Sequence, residues 1–133
     1  MRKKVPMLTV DGIVLRKGKV LLIKRSTPPY KGHWALPGGF VEHGETVEEA
    51  VAREIKEETD LTCEPLGLVG VYSDPKRDPR GHTITLAYIL KIIRGEAKKT
   101  AEATEIKYFD FGDLPEKIAF DHEKIICDAR KVL

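Results

Sequence analysis

Residues 38–61 read GGFVEHGETVEEAVAREIKEETDL, with seven glutamates in twenty-four residues. Thr46 followed three residues later by Glu49 forms a capping box, in which each side chain accepts from the other's backbone N–H and a helix starts. A helix from about Thr46 to Thr59 is expected. Glu45 and Glu48 lie near its N-terminus, where the helix dipole favours negative charge. With the solvent-facing Glu49, they are expected to cap or to be solvated. The second half differs. At about 100° per residue, Glu54, Glu57 and Glu58 share roughly a third of the circumference with Val47, Ala50 and Val51. The face that should pack on a sheet therefore turns from apolar to acidic, while Lys56 and Glu49 point away. Partly buried like charges repel and lose hydration. Either such carboxyls take up protons or a multivalent cation sits among them, and hard oxygen ligands favour Mg²⁺ or Mn²⁺. Just before the helix, Gly38 and Gly39 can bring backbone close to a metal or phosphate.

Outward from this helix, the chain reads as one domain, residues 1–133, at 15.0 kDa. Residues 7–15 and 19–25 are apolar, β-branched runs joined by RKGK, a strand-turn-strand signal. TCEPLGLVGVYSD reads as a strand, with Pro65 and Gly67 marking a bulge or an edge. DPKRDPRG is built of turn residues. In HTITLAYILKII, Ile84, Leu86, Tyr88, Leu90 and Ile92 alternate onto one face. EIKYFDF is a shorter strand, and FDHEKIICDARKVL a terminal helix with Asp121 as its N-cap. Strands and two helices in this order predict an α/β (α+β) fold with a mixed sheet between helical layers.

Charge narrows the partners. Lys+Arg (23) nearly balances Asp+Glu (21), leaving +2, which argues against coating nucleic acid or a membrane. The basic start MRKK leads into an apolar run broken by Asp11 and Gly12, unlike a signal peptide or membrane span, so a cytoplasmic protein is expected. Cys63 and Cys127 belong to no CxxC or cysteine-histidine cluster, so neither a disulfide nor structural zinc is expected. The sequence has no Asn and no Gln, and 33% of it is charged, a composition that predicts a thermophile's protein.

The opening stretch closely resembles the Nudix box, G-x5-E-x7-R-E-U-x-E-E-x-G-U, where U is bulky and aliphatic. Gly39 opens it, Glu45 follows after five residues, and Arg53-Glu54-Ile55-Lys56-Glu57-Glu58 after seven more; Leu61 closes it. Asp60 stands where the family usually has Gly. That position follows the helix end and needs a left-handed conformation, which Asp tolerates better than most residues. The resemblance covers essentially the whole chain. It implies the Nudix fold, an α/β/α sandwich around a mixed sheet, and hydrolysis of a nucleoside diphosphate linked to another moiety. It further implies that Glu54, Glu57 and Glu58 bind Mg²⁺ (Mn²⁺ as the substitute) with help from the Gly38 carbonyl. Arg53 would orient Glu57, and Glu45 would support the site from behind. The general base would be Glu57 first, Glu102 second; Glu105, which begins a strand, is expected to be structural.

Two further stretches, YSDPKRDPRGH (72–82) and IAFDH (118–122), resemble loops of Nudix ADP-ribose pyrophosphatases. Arg77 and Arg80 are candidate bidentate phosphate binders, His82 a ribose or phosphate contact, and Arg25 a further phosphate contact. Trp34, Tyr30 and Phe40 are the candidates for stacking on a base. His122 reads as a helix-cap neighbour rather than a ligand. The expected reaction is ADP-ribose plus water giving AMP and ribose 5-phosphate. A pyrophosphatase of oxidised or non-standard nucleoside triphosphates is the alternative, and a non-catalytic nucleotide-binding module the reading from another class. Resemblance to this subgroup implies a homodimer. Nucleic acid is not an expected substrate, since no aromatic-basic repeat is present.

Overall fold

The computed structural model describes residues 4–133; Met1, Arg2 and Lys3 of the basic start lie outside them. Strands β1 (Met7–Arg16) and β2 (Lys19–Arg25) form the expected hairpin. Lys17 and Gly18, both at positive φ, turn it, as a two-residue turn matching strand twist requires. Two short strands follow, β3 (Trp34–Ala35) and β4 (Gly38–Phe40), then helix α1 (Val47–Thr59). Beyond it come β5 (Thr62–Tyr72), β6 (Thr83–Arg94), β7 (Ala103–Asp110) and helix α2 (His122–Val132).

The strands make one seven-stranded sheet along the path β3-β2-β1-β6-β5, with β4 also on β1 and β7 on β2. The β1–β6 pair is parallel and the others antiparallel, so the sheet is mixed. Strand β5 ends the path, and its register shifts between Pro65 and Gly67, where the sequence marks an irregular edge.

Alternation along the strands divides the core in two. Val10, Val14, Leu21, Tyr88 and Leu90 face α1 and meet Ala50, Val51 and Ile55. Ile13, Val20, Leu22 and Ala87 face α2 and meet Ile125, Ile126 and Ala129. This is the α/β/α sandwich. Gly12 is required on the first face, because a Cβ there would strike Leu90 and Ile55. Asp11 has the same parity as Ile13 and so looks toward α2.

The capping box of α1 forms, with Glu49 N–H to Thr46 Oγ1 and Thr46 N–H to Glu49 Oε1 both at 3.0 Å. Its C-cap Asp60 takes φ 65°, the left-handed geometry expected at the departure from the box. At α2 the expectation is corrected: Asp121 occupies the N-cap position but makes no side-chain cap bond. Its carboxylate instead receives Arg77, Nη2 to Oδ1 at 2.6 Å and Nε to Oδ2 at 2.9 Å. A bidentate charged pair outcompetes a single neutral cap bond.

Candidate active site

A cleft of about 610 Å³ opens where β1, β4 and the second half of α1 converge with the loops after β2, β5, β6 and β7. Its lining carries both signs of charge: the acids Glu54, Glu58 and Glu102, and the guanidiniums of Arg25 and Arg80.

Among the acids, Glu58 is 5% exposed and its Oε1 accepts the Gly38 N–H at 3.1 Å. Burial pushes its carboxyl up to about 9; the Gly38 N–H opposes this, and the charges of Glu54, Glu102 and Asp11 add to it. Burial also raises Glu54, against the hydrogen bond from Arg53. The glycines make room for both. A Cβ on Gly39 would strike the Glu54 carboxylate, and one on Gly38 would strike the Val10 carbonyl and Asp11.

Arg53 organises the glutamates. Its Nε and Nη2 meet the two oxygens of Glu45 at 3.0 and 2.6 Å, and its Nη1 meets Glu54 at 2.8 Å and Glu57 at 3.3 Å. A further bond from Nη2 reaches the Phe40 carbonyl at 3.0 Å, tying the helix to β4. The hydrogen bond from Arg53 is the main reason Glu45 is lowered to about 2. Replacing Arg53 with Ala should lower turnover about 100-fold, the upper range for partners that orient metal ligands. Steady-state kinetics with a thermal melt checks this.

The acidic face is narrower than the helix projection implies. Glu54 and Glu58 line the cleft, whereas Glu57 is 59% exposed, turned to Arg53 and outside the cleft lining. Four residues separate it from Arg53, and that one-turn spacing wins over the cleft. Among the described residues, no three acidic, histidine or cysteine side chains converge as a metal cage. The donor set nevertheless fits a hard divalent cation: one buried and one half-buried carboxylate, the buried one held far above its ordinary range, beside backbone that only glycine allows.

The arginines divide sharply. Arg80 gives Nε and Nη2 to the buried carboxylate of Asp78, at 3.1 and 2.8 Å, and lies over the Phe40 and Phe120 rings at 5.8 and 5.6 Å. Arg25 gives Nε to the Pro29 carbonyl at 2.7 Å and lies 5.1 Å from the Phe120 ring. Arg77 differs: its side chain is 5% exposed and spent on Asp121, Thr83 and Thr85. It lines the cleft with these donors engaged, and through Asp121 it braces the 72–82 loop against α2. His82 is outside the cleft lining, with Nε2 2.9 Å from the Ser73 carbonyl. Glu105 pairs with Lys24 at 3.2 Å on the sheet.

Of the three candidate stacking rings, Phe40 lines the cleft and is 40% exposed. Trp34 packs edge-on against Phe109, and Tyr30 against Phe120 and His33.

A buried pair was missed. His122 Nδ1 accepts the Leu36 N–H at 3.0 Å, and Nε2 lies 3.1 Å from Asp11 Oδ2. With Nδ1 accepting, the ring hydrogen of the neutral form sits on Nε2 and is donated to Asp11. The pair pins α2 to β1, and both residues line the cleft. A signal existed: an aspartate inside an apolar strand needs a buried partner.

The NUDIX domain family profile matches residues 5–129. The chain is 59% identical over 123 residues to an ADP-ribose pyrophosphatase from Methanocaldococcus jannaschii, covering 92% of this chain and 72% of that protein. Two solved structures superpose closely. A MutT NUDIX hydrolase from Burkholderia pseudomallei gives TM-score 0.87 at 29% identity, over 94% of this chain and 98% of that one. The NUDIX domain of Shewanella oneidensis NrtR, in complex with ADP ribose, gives 0.83 at 30% identity, over 98% and 90%. With box, fold and profile agreeing along nearly the whole sequence, the chain belongs to the Nudix family.

Proposed function

We propose that the protein hydrolyses the pyrophosphate bond of ADP-ribose, releasing AMP and ribose 5-phosphate, with Mg²⁺ as the preferred divalent cation. The observation that carries this is the make-up of one cavity: half-buried Glu54, buried Glu58, Arg25 and Arg80 all line the same cleft, bringing cation-binding acids and phosphate-binding guanidiniums together. The relatives named for ADP-ribose support the choice of substrate.

A bound Mg²⁺ would neutralise the diphosphate and acidify the attacking water. Glu54 and Glu58 would hold it with the Gly38 carbonyl, while Arg53 and Glu45 fix their orientation. Arg25 and Arg80 grip the phosphate that is not attacked. Glu102, which lines the cleft, is the better-placed proton acceptor; Glu57, held by the same Arg53 nitrogen as Glu54, would complete the cation's surroundings. Water oxygen bonds to one phosphorus, its proton passes to the carboxylate, and the bond to the bridging oxygen breaks. Phe40, exposed on the lip, is the ring offered to the adenine.

We also assign a homodimer, a cytoplasmic location and a thermophilic origin. The absence of Asn and Gln and the Arg53 ion-pair network support the last. Among the described residues, no helix is long and apolar enough to cross a membrane.

A substrate panel with Mg²⁺ tests the reading: ADP-ribose, diadenosine polyphosphates, NADH, ADP-glucose, and ordinary and oxidised nucleoside triphosphates. ADP-ribose should lead by about tenfold or more and yield AMP. Pyrophosphate released from triphosphates would replace this substrate, and silence across the panel would favour a binding module.

A further inference from the structure

Phe120 sits in the left-handed region, at φ 54°. For a bulky side chain this conformation is strained and survives where surroundings over-determine it, commonly at functional sites. Those surroundings are specific. Its ring lies 4.8 Å from Tyr30, 5.2 Å from His122, 5.1 Å from the Arg25 guanidinium and 5.6 Å from that of Arg80. Two like-charged groups thus share one ring.

They are also tethered alike. Arg25 is held through Nε by Pro29, and Arg80 through Nε and Nη2 by Asp78. Among the described residues, neither Nη nitrogen of Arg25 nor Nη1 of Arg80 has a side-chain hydrogen bond. The proximity has a cost: burial and then the charge of Arg80 lower the Arg25 guanidinium from its ordinary range. Two guanidiniums held together with free donors are an anion site; nearby carboxylates, Asp78 above all, offset part of their repulsion, and the negative face of the shared ring adds to this.

We propose that Phe120 is a positioning residue, a strained aromatic platform that carries Arg25 and Arg80 on its ring and presents their free nitrogens to a phosphate bound in the cleft. This rests on the proposed reading of the cleft as a diphosphate site. Phe120 touches the two arginines, so it acts through them, on binding rather than on the chemical step.

The test compares Phe120→Leu, Phe120→Tyr, and 3,4,5-trifluorophenylalanine incorporated at position 120, which keeps shape while weakening the ring's negative face. Each is assayed on whichever substrate the wild type hydrolyses fastest, and for inhibition by inorganic phosphate. For Phe120→Leu, KM and the phosphate inhibition constant should each rise about tenfold with kcat within about twofold. Phe120→Tyr should stay within about twofold of wild type on all three. The fluorinated protein should fall between them, and it serves alone if the leucine variant does not fold. An unchanged KM and inhibition constant in the fluorinated protein would overturn the proposal, as would a loss confined to kcat. The wild type's choice of substrate reports separately on the ADP-ribose reading, because the proposal is judged by ratios to wild type.

Discussion

Glu58→Gln should reduce turnover about 10³-fold while raising the melting temperature of the metal-free protein. The two effects have one cause. Glu58 is buried in the cleft floor, where burial raises its carboxyl to about 9 from an ordinary 4.5. Between those values the folded carboxyl holds a proton that the unfolded chain has lost. The contribution of Glu58 to stability therefore falls as pH rises from 4.5 to 9, and is level below and above that window. The slope should approach about 1 kcal/mol per pH unit, near the thermodynamic value for one proton. Glutamine keeps the shape and the acceptor for the Gly38 N–H, carries no charge and abolishes the slope. Calorimetric melts of both proteins with chelator at pH 5, 7 and 9 measure it. Adding Mg²⁺ should flatten the wild-type dependence and leave the variant unmoved. Parallel pH profiles for the two proteins in chelator would sink the assignment.

The paired glycines supply the second large effect, because adjacent alanines should do opposite things. On Gly38 a Cβ would strike the Val10 carbonyl, rigid backbone of the strand that pairs with β4. Gly38→Ala should cost on the order of 3 kcal/mol, since the sheet has to move. On Gly39 the obstacle is the carboxylate of Glu54, the far end of a flexible side chain. Gly39→Ala should unfold near the wild-type urea midpoint but lose about 100-fold in turnover, as a misplaced ligand costs at an otherwise intact site. Urea titration and kcat together separate the two. Equal midpoints for both variants would mean that Gly38 is not confined as its contacts indicate.

Much of this architecture is local and so is present in the sequence itself. The span of α1, its Thr46–Glu49 capping box and the left-handed Asp60 depend on residues within four positions of each other. The β1–β2 turn and the irregular start of β5 likewise follow from Gly18, Pro65 and Gly67. Alternation in β6 predicts its α1-facing side chains because a strand has two faces wherever it is placed. The box spacing is local too, which is why the family was readable from one helix and its preceding loop.

Tertiary structure decided what each charged group faces. Glu57 and Glu58 are neighbours in the chain, yet one meets Arg53 outside the cleft lining and the other is buried beneath Gly38. Arg77 and Arg80 look equivalent in their loop. Only folding brings Asp121, forty-four residues away, to claim the first and leaves the second over the cleft. His122 reads as a cap neighbour until Leu36 and Asp11 close around it. Charge and hydrogen-bonding capacity are fixed by residue type, whereas burial and partner choice are set by contacts across the fold. The sequence by itself thus determined the chemistry available to this protein; the packing of α2 and the 72–82 loop onto the sheet determined which groups were left to perform it.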